Sequence, residues 1–253
     1  MTLDVTPSLI RERFLIQIQT LRDVQRQMKE KSESYHTIER ECDELKSQFG
    51  WREHFVGGHL GGNVNAAERV KLLEVRKHRL GRELHELEAR MKSTTYSLSR
   101  DIAPVLAVNS KTFQRLVSEA MLHSDLKAAS EEFGQFLQQA KRAVETALMM
   151  MSWQDLLQHP RASEGLNQFK EKAQVFGTVI KNYEANARVN FTHGQTIEGV
   201  VNLQSKDTGI QSFRRLASFS ESVTAYAEKQ LHANAEKKQA LVDHTIQLLL
   251  ADQ

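Results

Sequence analysis

Gly50-Trp-Arg-Glu-His-Phe-Val-Gly-Gly-His-Leu-Gly-Gly62 concentrates five of the chain's twelve glycines in one short stretch. On both sides of it apolar residues recur every three or four positions. Before it run Leu21, Val24, Met28, Lys31, Tyr35, Ile38, Cys42, Leu45 and Phe49, broken only by Lys31. After it run Val70, Leu73, Lys77, Leu80, Leu84, Leu87, Met91, Thr94 and Leu98, interrupted by Lys77 and Thr94. Such spacing, held over about four heptads, keeps one apolar seam in line along a helix, as a coiled coil requires. The glycines between the two series mark the turn. The pattern predicts two long helices, about Ser8 to Phe49 and about Asn65 to Ile102, folded into an antiparallel coiled-coil hairpin over a tip at 50–64. At 1.5 Å per residue each helix would be roughly 60 Å long, so an elongated bundle is expected.

Pairing the two series seam to seam sets a register. Phe49 is then expected to meet Leu73, Cys42 to meet Leu80, Ile38 to meet Leu84 and Tyr35 to meet Leu87. Lys31 falls beside Met91 with Glu88 a turn away, and Lys77 beside Leu45 with Glu41 and Glu44 in reach, so both lysines can extend to a carboxylate.

The remaining sequence also reads as helix, which makes the fold class all-α. Proline is tolerated at a helix start but disrupts an interior, so Pro7, Pro104 and Pro160 mark boundaries. The division is a hairpin over 8–104 and further long helices over 105–253, packed along or beyond it as one continuous elongated domain. Asn109 or Ser110 can cap a helix carrying Phe113, Leu116, Val117 and Ala120, with Ser124-Asp125 a point of interruption. Phe133, Phe136, Leu137, Ala140, Val144, Ala147, Leu148 and Met151 continue one face as far as His159-Pro160. Ser163 begins another helix, with Leu166, Phe169, Ala173, Phe176, Ile180, Tyr183 and Ala187. From Thr208 a last long helix carries Phe213, Leu216, Val223, Ala227, Leu231, Leu241 and Leu248.

Composition narrows the function classes. Three prolines and 7% aromatics argue against a β-sandwich or barrel. Cys42 is the only thiol, so no internal disulfide or cysteine zinc cluster can be built, which suits a reducing, cytoplasmic setting. The longest apolar run, Ala147 to Met151, is far short of the roughly 20 residues of a membrane span. The residues Asp4, Pro7, Arg11, Glu12 and Arg13 stand where a signal peptide would be apolar. Lys plus Arg number 34 against 32 Asp plus Glu, a balance that gives no reason to expect nucleic-acid binding.

Candidate chemistry is sparse. A di-metal carboxylate bundle needs two Glu-x-x-His motifs, and only Glu33-Ser-Tyr-His36 has the spacing, on the outward side of its helix. His78 and His85 lie two turns apart, too far to share an ion alone, and read as a charged outer face. His54 and His59 sit in the tip with only Glu53 near. The glycine stretch is followed by Asn63-Val64 where a phosphate-binding loop needs Lys-Ser/Thr, and it lacks the spacing of a dinucleotide fingerprint. The basic residues between Arg69 and Arg100 are interleaved with Glu74, Glu83, Glu86 and Glu88, as on a solvated helix face. No catalytic, cofactor-binding or metal-ligating residue is therefore assigned, and neither metal nor nucleotide is expected to be needed for folding.

Two apolar features exceed what a bundle needs. In the tip, Trp51, Phe55, Val56, Leu60 and Val64 alternate with glycines at the end of the predicted hairpin, where little core exists to cover them. In Leu148-Met-Met-Met-Ser-Trp153, consecutive apolar residues cover more than one helix face, either among neighbouring helices or, through Met149, Met150 and Trp153, against a partner. The sequence thus points to a non-enzymatic coiled-coil interaction or scaffold protein that self-associates or holds a protein partner. The alternative is a peripheral membrane-binding or membrane-inserting helical protein using the same residues on a membrane surface. A third reading is an enzyme whose site is drawn from residues scattered in sequence.

Overall fold

The computed structural model describes residues 7–55, 63–191, 197 and 204–251. Among them it contains seven helices and no strand: α1 (Pro7–Arg13), α2 (Leu15–Phe55), α3 (Asn63–Asn109), α4 (Lys111–Ala147), α5 (Trp153–Gln158), α6 (Pro160–Ala187) and α7 (Lys206–Ala251). The chain is an all-α helical bundle. It divides into two compact units, Met1–Ser110 with Leu241–Gln253, and Lys111–Ala240.

In the first unit α2 and α3 pack antiparallel. The 3-4 series supplies the buried seam: Leu21, Val24, Ile38 and Cys42 on α2 and Leu87 and Leu98 on α3 are all buried. Burial is most complete towards the end away from residues 50–64, where Ile10, Ile18, Ile102 and Leu106 are at most 1% exposed. Leu241, Val242, Ile246 and Leu249 of α7 are buried in this unit as well. Each such side chain contributes about 1.5–3 kcal/mol by leaving water. Two polar contacts hold the helices in place. Gln17 Nε2 donates to Asp101 Oδ2 at 3.1 Å, and Arg22 donates to the carbonyls of Leu249 and Leu250 at 2.9 and 3.3 Å. The arginine thereby occupies acceptors that the last turn of α7 leaves without helical donors.

The hairpin register differs from the one the heptads predict. Lys31 pairs with Glu83 rather than reaching Glu88, and Lys77 pairs with Glu39 at 2.6 Å rather than with Glu41 or Glu44. Lys46 meets Glu74 at 2.8 Å, and Tyr35 lies against Gly81 rather than Leu87. These crossing contacts lie a few residues from the expected level, and the expected match of Phe49 with Leu73 involves a side chain outside the described residues. Sliding an antiparallel seam by a heptad matches apolar positions again, so apolar periodicity does not distinguish the registers. Crossing ion pairs and local fit do. The ammonium of Lys77 also lies 5.2 Å above the Tyr35 ring, a cation–π contact available only at this level.

Helix ends depart from expectation at several points. α2 continues past Phe49 to Phe55 and α3 starts at Asn63, so helix occupies both ends of the stretch expected to be a tip. Pro104 does not end its helix, because α3 runs through it to Asn109. A proline there removes one N–H donor, but Ile102, Val105 and Leu106 on either side are buried, and their burial outweighs the missing bond. Likewise α4 runs unbroken through Ser124-Asp125. It ends at Ala147 instead of reaching His159, and α6 begins at Pro160 rather than Ser163. His159 caps α6, its Nδ1 accepting from Arg161 N at 3.2 Å, while the proline takes the first turn where its missing donor costs nothing.

The second unit is built on aromatic packing. Phe169, Ala173, Phe176, Ile180 and Tyr183 form the buried stripe of α6, facing Leu126, Phe133 and Leu137 of α4 and Leu216, Val223 and Ala227 of α7. Phe133 stacks on Phe176 with ring centroids 4.8 Å apart, and Phe176 meets Phe219 edge-on at 6.2 Å. Small residues let α4 and α7 approach closely. The Ser220 hydroxyl donates to the Ser130 carbonyl, and the Ser130 and Thr224 hydroxyls lie 2.8 Å apart. A Cβ added at Gly134 would stand 3.1 Å from Ser220 Oγ, so a larger residue there would push the helices apart. Asn234 is 3% exposed with neither amide atom hydrogen-bonded among the described residues. A buried amide left so costs about 1–3 kcal/mol.

Candidate functional site

The segment Met149–Trp153 is a turn that presents apolar side chains. Its backbone closes tightly, with Met149 N bonding to Thr146 O at 3.2 Å and Met150 N to Ala147 O at 2.9 Å. Ser152 then starts α5. Its backbone is extended, and its hydroxyl caps the helix by accepting from Asp155 N at 3.2 Å while donating to Asp155 Oδ2 at 2.6 Å. Met149 and Met150 are thereby held outward, 85% and 86% exposed, while Met151 and Trp153 are half-buried. Leu157, one turn beyond Trp153, is exposed too. Single exposed apolar residues are ordinary, but several large ones in one short capped segment are not. The expectation that the methionines can be shared among neighbouring helices does not hold for Met149 and Met150, because α4 stops before them.

The tip half of the candidate surface is placed only in outline. Trp51 and Phe55 fall in the last turns of α2 and Val64 in the first turn of α3. Their side chains, together with the whole of Val56 and Leu60, lie outside the described residues.

The histidines stand as follows. Glu33 and His36 are both exposed, and His36 Nδ1 lies 3.4 Å from Glu39 Oε2. His78 and His85 line an open groove of about 420 Å³ with Tyr35, Lys77, Gly81, Arg82 and Glu86. Among the described residues no group of three or more His, Cys, Asp or Glu is arranged to hold a metal ion. No described helix is long and apolar enough to cross a membrane.

One histidine has a more structured setting. His123 Nδ1 lies 3.0 Å from the Tyr183 hydroxyl, beside the packed rings of Tyr183, Tyr226 and Phe191. Burial pushes the Tyr183 hydroxyl well above its usual range, with Tyr226 reinforcing the shift. Burial also lowers the His123 pKa from 6.5, with Lys237 adding to the effect and Glu119 opposing it. A neutral Nδ1 can accept the tyrosine proton, which fits this direction. The unfolded chain then binds the proton more tightly than the folded one, so acidification favours unfolding. Stability should therefore fall as pH drops from about 7 through 6.5 and level off below the folded pKa. Urea midpoints at pH 7.5 and 5.5 test this, and His123→Asn should shrink the difference between them. At lower pH a second loss is expected. Lys77 holds the Glu39 carboxyl below its ordinary range through a hydrogen bond, and Lys46 does the same for Glu74 and Lys31 for Glu83. These contributions are present above about pH 4.5 and disappear as those carboxylates protonate.

Fold and surface together define an all-α bundle protein that exposes apolar side chains on an ordered turn. No protein-family model matches the chain, and no curated protein or solved structure matches it. The N-cap at Ser152 was not foreseen, although Ser152-Trp-Gln-Asp155 spells a Ser-x-x-acid helix start. Nor was the His123–Tyr183 pair, for which no local pattern exists across 60 residues of separation.

Proposed function

We propose that this chain is a non-enzymatic coiled-coil interaction or scaffold protein of the cytoplasm, acting by association with a protein partner or a second copy of itself. The observation that carries the reading is the exposure of Met149 and Met150 on a turn held by backbone bonds and a serine cap. An unbranched thioether side chain adapts to an irregular partner surface, and burying each one contributes about 1.5–3 kcal/mol to association. Trp153 beside them offers the rigid aromatic anchor common at the centre of interfaces. The long α2–α3 hairpin would serve as the spacer that sets the distance between bound partners.

Replacing Met149 and Met150 by Ser tests the reading. Both side chains are already in water, so the melting temperature should not change. Association measured by light scattering, or by capture of the partner, should weaken by about tenfold to a hundredfold. Unchanged association would remove this turn from the interface. Loss of liposome co-sedimentation with self-association intact would move the chain to the membrane-surface reading.

A further inference from the structure

Two further helical stripes run along the hairpin, away from its seam. On α3, Lys71, His78, Arg82, His85 and Lys92 recur at heptad spacing, with Val75 and Ala89 filling the gaps in the series. Every one of these positions is exposed. None is acidic, although Glu86 borders the stripe and Glu88 lies 4.0 Å from His85. On α2, Glu30, Glu33, Glu41 and Glu44, with Thr37 between them, form an exposed acidic stripe over the same stretch of hairpin. Among the described residues no ion pair reaches the four carboxylates or Lys71, Arg82 and Lys92. By contrast Lys31, Lys46 and Lys77, beside the seam, are all paired within the hairpin. Outside these pairs the exposed charge of α2 is mainly acidic, with Lys29 and Arg40 as exceptions, and that of α3 mainly basic, with Glu68 and Glu86 as exceptions.

We propose that the basic stripe of α3 docks the acidic α2 stripe of a second copy of this chain. This rests on the reading of the protein as self-associating and names the surface. Both stripes have heptad spacing and span about two to three heptads, the match that two helices need in order to pair along their length. The groove beside Tyr35 adds depth. Gly81 has no side chain at that level, so His78, Arg82 and His85 rim an open cavity of about 420 Å³ floored by an aromatic ring. An arginine at such a rim can take a carboxylate in two parallel hydrogen bonds. Because the stripes are turned away from the shared seam, they occupy opposite edges of the hairpin. A two-fold dimer would place like edge on like edge, so the contact is head-to-tail, and a head-to-tail contact that does not close into a ring grows.

The experiment uses the full chain and two charge-reversed forms of it. One carries Glu30→Lys, Glu33→Lys, Glu41→Lys and Glu44→Lys, and the other Lys71→Glu, Arg82→Glu and Lys92→Glu. Light scattering at about 20 mM salt should show the wild-type mass rising with concentration above 28.9 kDa and falling when salt reaches about 500 mM. Each reversed form alone should associate about tenfold to a hundredfold more weakly. Mixing the two should restore association, because a basic α2 edge then meets an acidic α3 edge. Circular dichroism melts should match wild type, since all the altered positions are exposed. Wild-type association that survives both reversals would overturn the head-to-tail contact and leave self-association to another surface such as Met149–Trp153. A wild type that stays monomeric at every concentration and salt would overturn self-association and the contact together.

Discussion

Phe176→Ala should lower the stability of the second unit by about 3–5 kcal/mol. Phe176 is 1% exposed on α6 and sits where two other helices converge. Its ring stacks on Phe133 of α4 at 4.8 Å and meets Phe219 of α7 edge-on at 6.2 Å. Truncation removes the transfer energy of the ring and both aromatic contacts. The cavity left behind is bounded by long helices that resist collapse, because the serine and threonine hydrogen bonds near Ser130 already fix the approach of α4 and α7. Val175 is the internal control. It is adjacent in sequence but 55% exposed, so Val175→Ala should change stability by no more than about 0.5 kcal/mol. Urea titrations followed by circular dichroism measure both. Equal small effects at the two positions would mean that the aromatic cluster does not organise this unit.

The same contrast explains which parts of the fold are legible from sequence. Phe169, Ala173, Phe176, Ile180 and Tyr183 show a 3-4 spacing on a single helix, and that spacing alone places them on the buried side. Leu21, Val24, Ile38, Cys42, Leu87 and Leu98 are legible for the same reason. Axial register is not, since a heptad repeat matches itself after every seven residues. The partners of Lys31, Lys46 and Lys77 mark it, and the sequence offers each lysine several glutamates at similar intervals. Apolar spacing also misleads at Met149–Met151. The run extends the face of α4 in sequence, while in space α4 ends at Ala147 and a turn leads to α5, capped by Ser152. A serine N-cap marks a helix start that a continuing apolar run does not, because it satisfies a backbone donor of the first turn. For the candidate surface, sequence identifies the apolar surplus at Met149, Met150 and Trp153. Only the ended helix shows that the two methionines face water.

Pro104→Ala should raise stability by about 2 kcal/mol, an unusual sign for a substitution in the middle of a long helix. Proline in a helix interior costs about 3 kcal/mol relative to alanine, because it has no N–H to donate one turn back and its ring crowds that carbonyl. Here the carbonyl is that of Arg100, on a turn that also carries buried Ile102. The pyrrolidine itself is exposed, so alanine removes little packing. Against the gain stands the stiffness that proline gives the unfolded chain, about 0.4–1 kcal/mol, which alanine forfeits. The difference is what guanidinium or urea titration should read. Neighbouring Leu106→Ala should move the other way by about 2–5 kcal/mol, since Leu106 is fully buried and its burial is what carries α3 past the proline to Asn109. If Pro104→Ala leaves stability unchanged while Leu106→Ala lowers it, the helix has already relaxed around the proline and the missing hydrogen bond carries no net cost. If Leu106→Ala is also silent, burial is not what holds this helix together beyond residue 104, and the account of why α3 ignores its proline fails.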